Sequence, residues 1–334
     1  MEGKAIQAAK KQIRKILPYS PATWASFGPL SRFIAHSIPP ASPPILVVSM
    51  PRSGSSWVGK FLGVASEALY LREPINQSYL QETGPSPSVF EVNVAKLPPA
   101  YKASAASAFA GLPVFPKFIV KYPQQWELSE RRRRHLVIKE VNPLALDWMI
   151  QDYRPKVIYL IRHPAAVAYS FFRLGWTALD FRGIFSQSTL TSENLEPERF
   201  ADSFWAGQGA FQAIVLKRAL KLLEGYQDST IVRFEDLCTR PAEIFRGLYE
   251  FCGFHWNANL EREIQKHSNS SKQYQVGGYD LERNSAAMIN RWQTEISEEN
   301  LAQIRQAYLS YNPAFYGPEE WTMRTGLSAT FQAT

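Results

Sequence analysis

The sequence predicts one α/β domain of the three-layer, doubly wound type, built on a mainly five-stranded parallel sheet. Five short runs are almost continuously apolar, and they lie at residues 45–49, 68–71, 136–139, 157–161 and 231–234. Such runs are typical of strands that are covered on both faces, as the strands of parallel sheets are. Helical patterns lie between the runs, and this alternation favours helices packed on both sides of the sheet.

The helical segments are expected at residues 56–67, 164–173, 200–225 and 241–252. Pro164 and Pro241 would lie in the first turn of their helices, where the missing N–H costs no hydrogen bond. Gly253 follows the last segment, as glycine commonly does at a helix end.

The domain organisation follows from shifts in composition along the 334 residues. We expect a basic N-terminal extension over 1–40, one domain over 41–320, and a C-terminal tail over 321–334. Within the domain, residues 74–130 are rich in Pro, Ser and Ala and less regular. They indicate an insertion on the substrate side of the sheet.

The chain carries a formal net charge of +7, which suits nucleic acid, a membrane surface or a polyanionic small molecule. Part of this charge is a run of four arginines at 131–134, which we interpret as a solvated loop. No nucleic-acid docking motif accompanies the charge, so we expect no nucleic-acid partner. The basic N-terminus leaves a weak contact with a membrane surface open.

The sequence contains no run of the roughly 18 apolar residues that a membrane-spanning helix needs. The first residues are basic and lack both a continuous apolar stretch and a small-residue cleavage site. We therefore expect a cytoplasmic protein. Its two cysteines, Cys238 and Cys252, are too few for a disulfide framework or a metal quartet, so reduced thiols are expected.

The strongest local signal is a short loop, residues 51–56, between the first apolar run and the next helix. Small residues such as Gly54 let the backbone curl so that several N–H groups face one point, where the helix N-terminus adds partial positive charge. Arg52 adds a full charge. Hydroxyl donors are supplied by Ser53, Ser55 and Ser56. The loop is therefore predicted to cradle phosphate or sulfate oxygens.

The same stretch nearly spells the phosphate loop of nucleoside-triphosphate enzymes, because Gly54, Gly59 and Lys60 have the required spacing. The next residue is Phe61, where that motif needs a Ser or Thr hydroxyl to hold Mg²⁺. Lys60 would also lie more than one turn inside the helix. A nucleotide-dependent kinase stays an alternative that Phe61 disfavours.

Residues 51–57, Pro-Arg-Ser-Gly-Ser-Ser-Trp, resemble the 5′-phosphosulfate loop of the sulfotransferases that use 3′-phosphoadenosine-5′-phosphosulfate (PAPS). A second signature of that family is a strand that ends in Arg, with a Ser eight residues later. Arg162 and Ser170 match it in type and spacing. The resemblance spans about residues 43–315 apart from the insertion, and it is closer to the carbohydrate branch than to the small-molecule branch. It implies the P-loop-like sulfotransferase fold, PAPS as donor, PAP as product and no metal.

The resemblance also implies which side chains bind the donor. The loop from Arg52 to Trp57 would hold the 5′-phosphosulfate, while Arg162 and Ser170 would hold the 3′-phosphate. Trp57 would either stack on adenine or pack in the core. A later stretch with Arg283, Ser285 and Arg291 resembles the segment that closes over the nucleotide, although it does not include the Arg-Lys-Gly triplet of the small-molecule branch.

The chemistry needs a general base, and Glu73 is the first candidate. It follows the second strand in a Glu-Pro pair that resembles the carbohydrate sulfotransferases, where this Glu is the proposed base. A base has to reach the acceptor proton, and we expect the pKa of Glu73 to be raised by burial or by neighbouring groups. His163, which is expected to lie beside the phosphate or to cap a helix, and His135, which precedes a strand at the wrong end of the sheet, are the alternatives.

Cations at the same edge of the sheet are candidates for stabilising the transferring group. Arg52 faces the leaving phosphate in this interpretation, and Lys139 ends the third strand. Lys139 would contact the sulfuryl group or the acceptor, or it would pair with Glu73 or Glu140.

Together these features predict an enzyme, a sulfotransferase that moves the sulfuryl group from PAPS to an acceptor hydroxyl by in-line displacement and releases PAP. The acceptor is expected to be a small molecule or a carbohydrate, with a carbohydrate or glycolipid-like acceptor favoured. A kinase and a non-catalytic PAP-binding protein on the same fold are the alternatives. The sequence leaves the acceptor and the oligomeric state open.

Overall fold

The computed structural model describes residues 23–26, 28–84, 87–200, 202–268 and 289–321. A sheet of five parallel strands forms the centre of this part of the chain. The strands are β1 (Ala41–Ser49), β2 (Ala68–Arg72), β3 (His135–Glu140), β4 (Lys156–Ile161) and β5 (Ser229–Arg233). Their order in the sheet is β2-β3-β1-β4-β5, which confirms the predicted five-stranded parallel sheet.

The first strand begins earlier than its apolar run. The sequence predicts a start at residue 45, where the apolar run begins, and Pro43 and Pro44 before it cannot donate to a strand ladder. In the structure β1 begins at Ala41, and its register against β3 shifts between Ala41 and Ile45. The prolines therefore lie in an irregular first half of the strand.

Helices connect the strands and cover both faces of the sheet. In chain order they are α1 (Pro29–Ser37), α2 (Ser55–Gly63), α3 (Pro74–Thr83), α4 (Pro99–Phe109), α5 (Leu146–Tyr153), α6 (Pro164–Arg173), α7 (Phe181–Ile184), α8 (Gln187–Ser192), α9 (Phe204–Glu224), α10 (Phe234–Thr239), α11 (Pro241–Cys252), α12 (Ala258–Ser268), α13 (Arg291–Glu295) and α14 (Glu298–Leu309). Short 3₁₀ helices lie at Thr23–Ser26, Val94–Lys96, Pro123–Trp126, Arg131–Arg133, Pro143–Ala145, Pro197–Phe200 and Pro318–Trp321.

Two of the four predicted helices, α6 and α11, have the predicted bounds. The prediction for α2 was too long, because the chain turns after Gly63 and enters β2 at Ala68. The prediction for α9 began too early, because a 3₁₀ turn precedes the helix and α9 starts at Phe204.

Apolar side chains of the strands pack into two cores, one on each face of the sheet. Ile45 and Val47 pack with α2 and α11 on one face, whereas Leu46 and Val48 pack with α4 and α5 on the other. Successive residues of a strand point to opposite faces, which explains the division. The three-layer fold class is thereby confirmed.

The segment 74–130 is more regular than its composition indicates, since it contains the helices α3 and α4. Tyr101, Ala105 and Ala108 of α4 are fully buried against the sheet. Small alanines give a weak apolar pattern, so the sequence hides a helix that nevertheless packs in the core.

The arginine run is not the uniformly solvated loop that the sequence predicts. Arg131 is 1% exposed and donates to the carbonyl oxygens of Ile38 at 2.6 Å, Gly111 at 2.9 Å and Ala110 at 3.0 Å. Burial lowers the pKa of its guanidinium to about 10. Arg133, in contrast, is exposed, with 82% of its side chain accessible. Arg131 therefore joins three segments at the amino edge of the sheet.

Within the described ranges no helix combines the length and the apolar character needed to cross a bilayer. Cys238 and Cys252 are both buried as thiols.

Candidate active site

The carboxyl ends of the strands open into a cavity of about 1190 Å³. Ligand sites in open α/β sheets lie at this edge. The predicted site residues in the cavity wall are Arg52, Gly54, Ser55, Ser56, Trp57, Glu73, Lys139 and Arg162. Residues at or just after the carboxyl ends of β1, β2, β3 and β4 thus surround one space.

The loop between β1 and α2 has a backbone that few residues can adopt. Both Arg52, with φ of 70°, and Gly54, with φ of 94°, have left-handed conformations. A Cβ atom on Gly54 would lie 2.3 Å from Cδ2 of Phe234. Gly54 is therefore required by conformation and by space, and its lack of a side chain leaves the loop backbone open to the cavity.

The two predicted phosphate anchors are connected to each other. Nε of Arg52 donates to Oγ of Ser170 at 2.9 Å, across 118 residues of sequence. Nη1 of Arg162 donates to the backbone oxygen of Arg52 at 2.9 Å. The guanidinium of Arg162 also lies over the ring of Phe234, 4.5 Å from its centroid. These contacts hold two arginines in fixed positions at one end of the cavity.

The serines of the loop do not all face the cavity. Ser55 and Ser56 begin α2 and line the cavity, so their backbone N–H groups lie at the positive end of a helix. Ser53 is 1% exposed and lines a separate cavity of about 30 Å³ together with Arg162. The predicted hydroxyl cradle therefore consists of Ser55 and Ser56 in this conformation, with Ser53 behind the loop.

Trp57 packs in the core and also borders the cavity. It is 8% exposed and packs edge to face on Phe234, at 6.4 Å between ring centroids, and on Phe245, at 5.6 Å. It also forms part of the cavity wall. Trp57 is thus a core residue that borders the cavity, and its stacking on adenine stays a prediction.

Two glycines allow α2 to lie directly on the sheet. A Cβ atom on Gly59 would come within 2.5 Å of the Tyr70 hydroxyl and 3.3 Å of Cγ of Lys139. One on Gly63 would come within 2.7 Å of the Tyr70 ring. Gly59 is explained by this close packing, which also confines the stem of Lys139.

The residues that resemble a nucleoside-triphosphate motif have other contacts. Phe61 is 3% exposed and packs on Phe245, with ring centroids 5.1 Å apart. Lys60 lies near the end of α2, where its Nζ is 3.0 Å from Nε2 of His267. The position that would hold Mg²⁺ in a kinase is therefore occupied by a core aromatic.

Glu73 also lies in the cavity wall, directly after β2. It precedes α3 with a φ of 53°, and its backbone N–H donates to the Lys139 oxygen at 2.6 Å. Its carboxylate forms an ion pair with Lys139 and accepts a hydrogen bond from Nε2 of Gln77 at 2.9 Å. Glu73 is 9% exposed and Lys139 is 1% exposed, so the pair is buried.

The expected rise in the pKa of Glu73 is wrong. Burial alone would raise this pKa, but the charge and hydrogen bond of Lys139, together with Gln77 and Arg72, hold it below its usual value. Glu73 is therefore ionised at neutral pH and able to accept a proton, while Lys139 restrains its basicity.

Glu140 was not a candidate from sequence, yet it supports Glu73. It is fully buried, and its carboxylate accepts from the backbone N–H groups of Ile75 at 2.7 Å and Asn76 at 3.4 Å. Burial raises its pKa to about 8, against the effect of these hydrogen bonds. It caps the first turn of α3 from β3, which fixes the helix that begins directly after Glu73.

The alternation of side chains between the two faces of a strand could have identified Glu140 from the sequence. Lys139 and Glu140 are consecutive charged residues at the end of a buried strand, so they point to opposite faces. Only one of them can face Glu73, and the structure shows that it is Lys139.

Neither of the two histidine alternatives is in the cavity wall. His163 caps α6 by accepting from Ala165 N–H at 3.3 Å, and its ring stacks on Trp292 at 4.2 Å. Burial lowers its pKa to about 3, so it is a weak base. His135 begins β3 at the amino edge of the sheet, opposite the cavity, as the sequence predicts.

The acidic residue after β5 organises the backbone behind Arg162. Glu235 accepts from the backbone N–H of His163 at 2.9 Å and from the hydroxyl of Tyr316 at 2.8 Å. It thereby links the end of β4 to the C-terminal segment.

The third group of predicted donor ligands lies mostly outside the described residues. Arg283 and Ser285 lie outside the described residues. Arg291 begins α13, where it is within 3.4 Å of Glu295. It is not part of the cavity wall, so its role stays a prediction.

The described residues contain no cluster of three or more His, Cys, Asp or Glu side chains that could hold a metal ion. The residues that are present suit a phosphosulfate instead: a loop without a Cβ at Gly54, a helix N-terminus, and two arginines held in place.

Comparison with known proteins adds a family match. A model described as a sulfotransferase domain matches residues 42–310. Mouse carbohydrate sulfotransferase 3 is 22% identical over 317 residues, which cover 79% of this chain and 65% of the relative. Rat carbohydrate sulfotransferase 1 is 28% identical over 196 residues, or 53% of this chain and 43% of the relative. The chain thus spans less than two thirds of the length of these relatives.

Solved structures of sulfotransferases are similar at lower identity. A mouse sulfotransferase complexed with PAP has 12% identity and a TM-score of 0.45, over 83% of this chain and 88% of that one. The sulfotransferase domain from the curacin biosynthetic pathway has 17% identity and a TM-score of 0.45, over 82% of this chain and 99% of that one.

Proposed function

The chain belongs to the sulfotransferase family, and from this premise we propose that it transfers a sulfuryl group from PAPS to an acceptor hydroxyl. In the proposed step a bond forms between the acceptor oxygen and sulfur, while the bond between sulfur and the bridging oxygen of the 5′-phosphate breaks. The electron pair of the broken bond stays on the 5′-phosphate, so PAP leaves. The proton of the acceptor hydroxyl moves to Glu73.

One observation carries the proposal. Arg162 donates a hydrogen bond to the backbone oxygen of Arg52 at the phosphate loop. The cavity that both arginines border also contains the buried ion pair of Glu73 and Lys139. In-line displacement needs a group that binds the leaving phosphate and a base that reaches the incoming oxygen, both in fixed positions. The cavity holds both kinds of group.

The phosphate loop would bind the charge that develops on the leaving group. The N-terminus of α2, with Ser55 and Ser56, supplies donors that need no rearrangement during the reaction. Arg52 would neutralise the 5′-phosphate, and its hydrogen bond to Ser170 keeps its guanidinium beside the proposed 3′-phosphate site. PAPS supplies the activated sulfuryl group when it is bound.

The ion pair of Glu73 and Lys139 gives the base a way to respond to the donor. A sulfuryl anion near Lys139 would compete with Glu73 for the positive charge. Glu73 would then lose part of the interaction that lowers its pKa, and it would become a better proton acceptor. Lys139 would in turn stabilise the oxygens of the transferring group.

A carbohydrate or glycolipid-like hydroxyl is the proposed acceptor. The two relatives described as carbohydrate sulfotransferases support this choice, as does the Glu-Pro pair at the end of β2. A cavity of about 1190 Å³ leaves room for a nucleotide and an acceptor together. A cytoplasmic location and a weak contact of the basic N-terminus with membranes stay predictions.

The test is transfer of label from [³⁵S]PAPS to a panel of acceptors: neutral and acidic oligosaccharides, a glycolipid and a phenol. We expect sulfated product and PAP in equal amounts, without added metal and with no transfer from [γ-³²P]ATP. Tight PAP binding with no transfer to any acceptor would support the alternative of a non-catalytic PAP-binding protein. Transfer of ³²P would contradict the proposal.

A further inference from the structure

Three aromatic rings enclose His163, which directly follows the arginine proposed to hold the 3′-phosphate. The ring of His163 stacks on Trp292, with ring centroids 4.2 Å apart. It also meets the ring of Tyr316 at 5.2 Å and that of Trp321 at 4.6 Å, both at steep angles. Two of the three rings belong to residues 316–321, which we call the C-terminal clasp. The end of β4 is therefore packed against the clasp.

Hydrogen bonds join the clasp to both the side chain and the backbone of His163. Nδ1 of His163 accepts from the Ala165 N–H at 3.3 Å, so Nε2 carries the ring proton and donates to the backbone oxygen of Glu320 at 3.2 Å. The backbone N–H of His163 donates to Oε1 of Glu235 at 2.9 Å. The other carboxylate oxygen of Glu235 accepts from the hydroxyl of Tyr316 at 2.8 Å. Glu235 therefore bridges Tyr316 to the peptide bond that precedes His163.

The clasp is held together by contacts of its own. Nε1 of Trp321 donates to the backbone oxygen of Tyr316 at 2.8 Å, and the backbone N–H of Gly317 donates to the carboxylate of Glu320 at 3.1 Å. Glu320 also forms an ion pair with Arg233, the last residue of β5. Tyr316 has a left-handed φ of 58°, a conformation that a bulky residue keeps only where its surroundings impose it. These contacts hold the Tyr316 hydroxyl in one place.

Neither Glu235 nor Tyr316 is in the wall of the large cavity, but both adjoin Arg162, which is. Tyr316 and Arg162 line the same small cavity of about 30 Å³ behind the phosphate loop. Burial lowers the pKa of the Arg162 guanidinium, and the negative charge of Glu235 opposes this shift. Arg162 is therefore held from two sides, by the Arg52 oxygen in the loop and by the group of Glu235 and Tyr316 behind it.

We infer that Glu235 and Tyr316 are positioning residues, which hold Arg162 where it meets the 3′-phosphate and so give the site its preference for a 3′-phosphorylated nucleotide. This inference rests on the proposed function, in which Arg162 binds that phosphate. A charge-assisted hydrogen bond depends on its geometry, so a shift of the Arg162 backbone would weaken this contact and leave the contacts of the 5′-phosphate in place. Tyr316 lies beyond residues 42–310, which the family model matches, so that match assigns it no role.

The test compares two nucleotides that differ only in the 3′-phosphate, PAP and adenosine 5′-phosphate. Calorimetry of the full chain, well below its unfolding temperature, gives the ratio of their dissociation constants, which we call the 3′-phosphate preference. Tyr316→Phe keeps the ring packing and loses only the hydroxyl, so the preference should fall about threefold. Glu235→Gln removes the charged acceptor of two hydrogen bonds, so the preference should fall about tenfold. Adenosine 5′-phosphate should bind both variants as it binds wild type.

Tyr226→Phe is the matched control. The hydroxyl of Tyr226 donates to the backbone oxygen of Pro155 at 2.7 Å, just before β4 begins and at the opposite end of that strand from Arg162. The same substitution therefore removes a tyrosine hydrogen bond of similar length at the far end of β4, away from the clasp. Tyr226→Phe should keep the 3′-phosphate preference of wild type.

Three outcomes would overturn the inference. An unchanged preference in either variant would remove that residue from the positioning of Arg162. Equal losses of affinity for both nucleotides would show a general loss of the site. Tighter PAP binding by Glu235→Gln would show that the carboxylate acts as a charge that repels the phosphate and not as a positioning group. Failure of the proposed function would look different, because wild type would then bind no PAP.

Discussion

The two edges of the sheet use cations in opposite ways. At the amino edge, Arg131 donates to three backbone oxygens and is 1% exposed. At the carboxyl edge, Arg52, Arg162 and Lys121 border an open space. The same kind of side chain holds segments of chain together at one edge and offers charge to a ligand at the other.

The difference lies in which groups accept the hydrogen bonds of each cation. A buried cation is stable when its donors are satisfied by the protein, and it then has few donors left for a ligand. Cations that point into a cavity keep part of their interaction for an anion. Variants at the two edges should therefore separate stability from binding and activity.

The largest expected effect concerns the base. Glu73→Gln should lower kcat about 10³-fold, the usual scale for loss of a general base, and leave PAP affinity unchanged. The measurement is sulfate transfer at saturating PAPS. Glu91→Gln is the control, because Glu91 is also ion-paired, to Arg218 at 2.8 Å, but it is not in the cavity wall. Full activity of Glu73→Gln would remove Glu73 from the mechanism.

At the amino edge, Arg131→Ala should lower the free energy of unfolding by about 3 kcal/mol, because three carbonyl oxygens lose the donor that a buried guanidinium provides. Urea unfolding of the variant and of Arg133→Ala gives the comparison, and the exposed Arg133 should change stability by less than about 0.5 kcal/mol. PAP affinity of folded Arg131→Ala should match wild type. An Arg131 variant as stable as wild type would contradict the structural role.

Arg162→Ala should show the reverse pattern. It removes a charge that borders the cavity and the hydrogen bond that holds the Arg52 backbone. PAP affinity should fall about 10- to 100-fold, as expected for charge-assisted hydrogen bonds. Calorimetry well below the unfolding temperature separates this loss from any change of stability. Arg162→Ala with wild-type PAP affinity would contradict the proposed difference between the two edges, in which cations of the carboxyl edge bind the ligand.

The pH dependence of stability is expected to depend on Glu140. The pKa of Glu140 is raised to about 8 in the folded protein, so folded Glu140 keeps its proton when unfolded Glu140 has lost it. Its contribution is greatest below the unfolded pKa and is lost as pH rises towards 8, by at most about 1.4 kcal/mol per pH unit. Glu140→Gln should lose less stability than wild type between pH 5 and pH 8 in urea titrations. Parallel curves would contradict this assignment.

The sequence predicts the carboxyl edge better than the insertion. Apolar runs and the small residues at 51–56 identify the sheet and the loop, because both are local patterns. The position of Arg162 beside the phosphate loop also follows, since the resemblance to a known family supplies the long-range pairing that local patterns lack, whereas the Arg52–Ser170 hydrogen bond was not predicted. The helix α4 was missed because its buried face is mostly alanine.

Contacts between distant segments explain what the sequence could not provide. The pKa of Glu73 depends on Lys139, which is 66 residues away, and the burial of Arg131 depends on Ile38 and Gly111. Ser53 and Ser55 are the same residue type, but the turn at Gly54 places Ser53 behind the loop and Ser55 in the cavity wall. Such properties follow from packing, which residue type and spacing do not encode.

The central claim is that the cavity at the carboxyl edge binds a 3′,5′-bisphosphorylated adenosine without metal. Calorimetry of the full chain with PAP, adenosine 5′-phosphate and ATP, each with and without Mg²⁺, tests it most directly. PAP should bind without Mg²⁺ and roughly tenfold or more tightly than adenosine 5′-phosphate, because Arg162 and Ser170 would hold the 3′-phosphate. Binding of ATP–Mg²⁺ in the absence of PAP binding would contradict the account.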